Sequence, residues 1–191
     1  MEQVLTLRTN TRDYTTSDIY DEIRECKKLI ESLGYPMGVR FYDVEISNKM
    51  TKALGSASYC GEGDYQIKIS RLLLDNCDPD EVHNTIMHEV IHTVDGCMNH
   101  GWLWQRIAYD VNRHYQFSKL QRLSGNTEFG EAAKQAKRER ASTIYKVTCD
   151  GCHKSWEFYR HTSKVKAIER NRATCRLCGS KSFTVTITEN K

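Results

Sequence analysis

The sequence predicts an α+β protein. A layered domain of helix, three strands and two further helices is followed by a small unit closed by four cysteines. Three observations predict this. Val82, Ile86, Val90 and Val94 recur every fourth residue and form an apolar helical stripe. Tyr65, Ile67 and Ile69 alternate with Gln66, Lys68 and Ser70, the period of a half-buried strand. Cys149-Asp150-Gly151-Cys152 and Cys175-Arg176-Leu177-Cys178 form two CxxC pairs.

The elements follow in order. Residues 18–33 carry Ile19, Ile23, Cys26, Ile30 and Leu33 on one helical side, and Gly34-Tyr35-Pro36 ends the helix. Residues 39–47 are rich in β-branched and aromatic side chains and read as a strand. Residues 53–60 form a weaker strand, and Gly61-Glu62-Gly63-Asp64 reads as the hairpin turn into the strand over residues 65–70. Leu72, Leu73 and Leu74 lead to a helix over residues 78–96, with Asp78 as cap, Pro79 at the first helical position and Gly96 as terminator. Asn99 is positioned to cap a second helix whose apolar face is Trp104, Ile107, Ala108, Val111 and Tyr115. His100 then falls in that helix's first turn.

The domains expected are residues 1–117, a connector over 118–143 and a terminal unit over 144–191. The connector has a turn over residues 123–126, and Thr127 is placed to cap a helix running through residues 131–140.

The chemistry centres on His88-Glu89-Val90-Ile91-His92. On a helix, His88 and His92 lie one turn apart, so both imidazoles face the same side and can hold one zinc ion. Glu89 falls beside that ion as the candidate general base. A catalytic zinc needs a third protein ligand. Asp95, Cys97, His83 and His100 compete for the role. Asp95 lies nearly a turn beyond His92, Cys97 would be an unusual protease ligand, and His83 points off the shared face. His100 is the expected ligand. The metzincin pattern is excluded, because positions 95 and 98 are Asp and Met where it needs Gly and His.

HEVIH, seven residues, then His100-Gly101-Trp102-Leu103-Trp104 resembles the SprT family, whose pattern is HExxH followed by HGxx and an aromatic residue. That family includes bacterial SprT proteins and the Spartan proteases of eukaryotes. The resemblance extends to the preceding strand-like stretch and to the downstream cysteine pairs. It implies a compact zincin-like metalloprotease domain, zinc on His88, His92 and His100, and catalysis by Glu89. For the Spartan branch it implies cleavage of proteins crosslinked to DNA. The expected reaction is zinc-assisted peptide hydrolysis, with Glu89 passing a proton to the leaving amine. Tyr59, Tyr65, Tyr109 and Tyr115 are candidates for stabilising the oxyanion. An extended substrate would add to a sheet edge, and either strand of the hairpin over residues 53–69 could supply it.

The cysteine pairs are separated by 22 residues, which fits a four-cysteine structural zinc ribbon. The ligands expected are Cys149, Cys152, Cys175 and Cys178. His153 and His161 lie near and are not needed. Cys26, Cys60, Cys77 and Cys97 show no framework spacing and are expected to be small, buried, reduced thiols. Two zinc ions per chain are therefore expected, one catalytic and one structural.

Charge divides the chain. Residues 118–191 carry 16 Lys/Arg against 7 Asp/Glu, a net +9, while residues 1–117 carry 12 against 18, a net −6. A basic C-terminal part attracts a polyanion. Lys154, Trp156, Tyr159, Arg160, Arg170, Arg172 and Arg176 combine aromatic faces with cations and are the candidate DNA contacts, with single strands or junctions preferred to intact duplex. The competing role for Trp156 and Phe158 is to pack the ribbon's own core. The partners expected are a protein substrate and DNA, with no membrane and a monomeric assembly. No secretory leader and no membrane-length apolar run stand in the sequence, so a cytoplasmic location is expected, nucleoid-associated or nuclear if DNA is used.

Overall fold

The computed structural model describes residues 13–114, 120 and 127–189, with the side chain of Thr127 outside that set. The chain divides into two compact units, Met1–Ala133 and Lys134–Lys191. The division falls within helix α5, Thr127–Arg140.

The first unit begins with α1, Thr16–Ser32. Thr15 and Asp18 form a reciprocal capping box, satisfying two backbone donors that a helix start leaves free. Ile19, Ile23, Cys26, Leu29 and Ile30 are buried, so the expected stripe faces the core. Strands β1 (Phe41–Ser47), β2 (Gly55–Gly61) and β3 (Asp64–Ser70) form one sheet in the order β1-β3-β2. β1 runs parallel to β3 and β2 antiparallel to it. Tyr65, Ile67 and Ile69 are buried, as their alternation predicts. The β2–β3 turn has Glu62 at φ 51° and Gly63 at φ 82°, the double left-handed conformation of a tight hairpin.

The structure departs from the expected elements at three places. The leucine run over residues 72–74 is not a lead-in but part of a short helix α2, Arg71–Asn76, with Leu73 and Leu74 buried. The metal helix α3 is Pro79–Ile91 and does not reach Gly96. It stops because residues 92–96 fold into successive turns: Thr93 N–H bonds Val90 O, Val94 N–H bonds Ile91 O, and Gly96 sits at φ 81°. Val94 is still buried, so the four-residue period reported the core correctly while overstating the helix. Helix α4 is Trp102–His114, so His100 precedes it. The Asn99 side chain accepts from Gly101 N–H at 2.9 Å and shapes that loop, while Gly101 O receives the first helical N–H, from Gln105. Trp104, Ile107, Ala108 and Val111 form the buried face of α4 as expected; Tyr115 lies outside the described residues.

α1, α3 and α4 pack with the sheet around one apolar core. Ile19, Ile30, Ile67, Ile69, Ile86, Ile91 and Ile107 are all fully shielded there, and Phe129 and Ala133 of α5 join it. Cys26, Cys77 and Cys97 are buried in this unit, whereas Cys60 is exposed, contrary to expectation, because it lies near the hairpin end of the edge strand β2.

The second unit is a three-stranded antiparallel sheet, ordered β5-β4-β6, with one short helix. Its elements are β4 (Thr143–Cys149), β5 (Ser155–Phe158), α6 (Ser163–Glu169) and β6 (Phe183–Glu189). The register places Tyr145, Val147, Trp156, Phe158, Val185 and Ile187 on one face, opposite a threonine-rich face. Few large apolar groups are shielded: Ile144, Val147 and Val165. The turn over residues 123–126 lies outside the described residues.

Candidate metal centre

α3 carries His88, Glu89 and the capping residue His92, and the loop before α4 brings back His100. The Nε2 atoms of His88 and His92 are 3.3 Å apart, His92 and His100 3.2 Å, and His88 and His100 2.9 Å. Four tetrahedral nitrogens at about 2.0–2.1 Å from zinc would lie roughly 3.3 Å from one another. The trio therefore has the spacing of one metal's ligand set.

The chemistry of the nitrogens agrees. His92 Nδ1 lies 2.7 Å from the Cys97 carbonyl, which can only accept, so that nitrogen carries the proton. His92 Nε2 is then a lone pair facing two neighbouring imidazoles. Burial also holds His92 below the usual imidazole range, favouring the neutral, ligating form. Trp104 backs all three rings, with centroids 4.7 Å from His88, 5.7 Å from His92 and 4.7 Å from His100. Gln105 Nε2 donates to His100 O at 2.8 Å and fixes the loop.

The rival ligands fall away. His83 pairs with Glu22 at 2.9 Å. Asp95 is exposed, and Cys97 contributes its carbonyl instead of its thiol. Neither belongs to the histidine cluster.

Glu89 is 7% exposed. Burial pushes its carboxyl up to about 7, opposed by the nearby Ala57 N–H. A cation on the histidines would oppose that rise further. Neither the Ala57 donor nor the Cys97 acceptor has a sequence signature, since both are backbone groups. Of the tyrosines, Tyr65 is buried against Tyr59 with rings 5.2 Å apart; Tyr59 and Tyr109 are exposed, and Tyr115 lies outside the described residues.

The second centre lies in the terminal unit. Cys149 and Cys178 sulfurs are 3.5 Å apart and Cys152 and Cys175 3.8 Å, with all four mutually within 4.8 Å. Zinc–sulfur bonds of about 2.3 Å set tetrahedral sulfurs roughly 3.8 Å apart, whereas a disulfide would need about 2.05 Å. The two turns are built alike. His153 N–H bonds Cys149 O at 2.8 Å, and Gly179 N–H bonds Cys175 O at 2.9 Å. The residue after each second cysteine is left-handed, His153 at φ 58° and Gly179 at φ 76°. A Cβ on Gly151 would lie 2.8 Å from Ser180 Cβ, so the turns meet where only glycine fits. Although burial of the Cys149 thiol raises its pKa, the Cys152 and Gly151 N–H groups prevail and hold it at about 6, toward thiolate. Asp150 accepts from Ser182 and Thr184 hydroxyls at 2.5 and 2.8 Å and ties the first turn to β6. His153 and His161 are outside the cysteine group; His161 stacks on Tyr145 and meets Glu169 at 2.8 Å.

Of the candidate DNA contacts, Trp156 and Arg176 line one groove of about 480 Å³ with Phe158, Lys164, Leu177 and Phe183. Lys154, Arg160, Arg170 and Arg172 are exposed elsewhere on the unit, and the Tyr159 hydroxyl meets Glu157 at 3.4 Å.

Three converging imidazole nitrogens, with a buried glutamate on the helix that carries His88, fit a zinc metalloprotease. Residues 37–128 match the SprT-like family model, so the chain carries a SprT-like domain, and the ribbon lies C-terminal to it. A comparison with curated proteins finds no match.

Proposed function

We propose that this protein is a zinc-dependent endopeptidase of the SprT type that acts on DNA-bound or DNA-crosslinked proteins. The observation that carries the peptidase reading is the juxtaposition of the histidine trio with Glu89 seated against β2. Zinc held by His88, His92 and His100 would supply Lewis acidity and lower the pKa of water. Glu89 takes a proton from the attacking water on its carboxylate and delivers it to the leaving nitrogen. Among the described residues β3 is flanked on both sides, so β2 is the hairpin strand at the edge of the sheet. An extended peptide pairing with that edge would lie beside Glu89.

DNA association is supported by the net +9 over residues 118–191 and by a groove in which Trp156 and Phe158 lie beside Lys164 and Arg176. A second reading, a peptidase that ignores DNA, is favoured by the position of Trp156 opposite Val147 on the sheet's apolar face, where it also packs the ribbon. No helix among the described residues is long and apolar enough to cross a membrane. The proposed location is the cytoplasm, or the nucleoid or nucleus with DNA.

Proteolysis of a DNA-binding protein, measured with and without single-stranded DNA, tests both readings. Cleavage stimulated by DNA and abolished by Glu89→Gln is the expected result. Cleavage indifferent to DNA selects the second reading. Equal hydrolysis by Glu89→Gln overturns the assigned chemistry.

A further inference from the structure

Gly55 and Glu89 approach each other too closely for any side chain at position 55. A Cβ there would lie 2.8 Å from Glu89 Cγ, 3.0 Å from its Oε1 and 3.1 Å from Thr85 Cγ2. Gly55 is not among the left-handed glycines, so space and not backbone conformation requires it. The Ala57 N–H lies near enough to the same carboxylate to oppose the rise that burial imposes on it.

The direction of that N–H follows from the ladder. Ser70 N–H donates to Leu54 O at 2.8 Å. Bonded and non-bonded pairs alternate in an antiparallel ladder. The register Gly55↔Ile69, Ser56↔Lys68, Ala57↔Ile67 therefore makes Gly55 and Ala57 non-bonded positions. Their N–H groups turn away from β3 toward the outer edge. Glu89 is the acceptor nearest at hand for a donor that the three strands leave without a partner.

We infer that Gly55 is a positioning residue for Glu89. The missing side chain at 55 makes a seat in which the Ala57 N–H holds the carboxylate against β2, one residue along α3 from His88. The catalytic importance of the seat rests on the peptidase reading; its existence does not. An added methyl displaces the flexible Glu89 side chain before it displaces backbone. The damage falls on the base and spares the fold.

Amide hydrogen exchange at Ala57, followed by NMR on the full-length zinc-loaded protein, tests the seat without a substrate. Wild-type Ala57 should be protected although it faces the outer edge. Glu89→Ala should accelerate its exchange about tenfold, the loss of one hydrogen bond. Gly55→Ala should do the same while zinc content and Tm stay near wild type. The double variant Gly55→Ala, Thr85→Ser removes the Thr85 methyl and keeps the Glu89 clash, and it also relieves the strand should the single variant fold poorly. It too should show fast exchange at Ala57, with kcat lowered on the order of 10²-fold and KM little changed. Wild-type protection in Gly55→Ala, or protection restored by Thr85→Ser, overturns the inference. Loss of protection in both variants, in a protein whose wild type cleaves nothing, supports the seat and sinks the peptidase reading instead.

Discussion

His92 Nδ1 donates to the Cys97 carbonyl at 2.7 Å, so a backbone group five residues downstream fixes the tautomer of one member of the histidine trio. That carbonyl is aimed by the turn over residues 94–97, in which Cys97 N–H bonds Val94 O at 2.9 Å and Gly96 takes φ 81°. A Cβ on Gly96 would meet only Leu103 Cδ2, at 3.7 Å. Gly96→Ala therefore fits in space but strains the backbone by about 1–2 kcal/mol. The expected outcome is a lower Tm together with zinc affinity weakened about 10–100-fold, measured by competition with a chelator. Unchanged affinity would remove the carbonyl from the account of the site.

Elemental analysis of metal-replete protein should find two zinc ions per chain. The double variant His88→Ala, His92→Ala should lower the value toward one. A wild-type value of one, untouched by that variant, contradicts the two-centre arrangement.

Glu89→Gln keeps the volume of the side chain and removes its basicity. Zinc content should hold, and peptide hydrolysis should fall on the order of 10²–10⁴-fold. Loss of zinc with loss of hydrolysis would instead make Glu89 part of the metal's support.

The described residues of the terminal unit shield few large apolar side chains, so metal removal is expected to unfold it. Cys149→Ser should abolish protection of the β4 and β6 amides in hydrogen exchange and leave those of α3 unaffected. A native ribbon in Cys149→Ser would show that the strands hold without the fourth thiolate.

DNA affinity should fall steeply with salt, as counterions return to the phosphates. Replacing Arg170, Arg172 and Arg176 by glutamine should weaken binding and flatten the salt dependence, with zinc content as the control for folding. Equal binding by the folded variant at every salt concentration would exclude these arginines as contacts.

The two candidate metal centres were legible because ligand chemistry fixes residue types and helix geometry fixes spacing. The clustering of His88 and His92 could be read directly, and that of the four cysteines likewise. The end of α3 was not legible: Val94 is buried from a turn, and the core-facing period does not distinguish turn from helix. Cys60 was misread because an edge strand exposes residues that composition alone would bury. The seat of Glu89 was invisible, since it is made by a backbone N–H and by the absence of a side chain.

Trp104 has an optical consequence. It is 2% exposed and touches all three histidine rings, while Trp102, two residues away, is 79% exposed. The first indole is screened from collisional quenchers in solvent, and the second is open to them. The fluorescence of one native residue can thus report whether cobalt binds the histidines beside it, with no label attached.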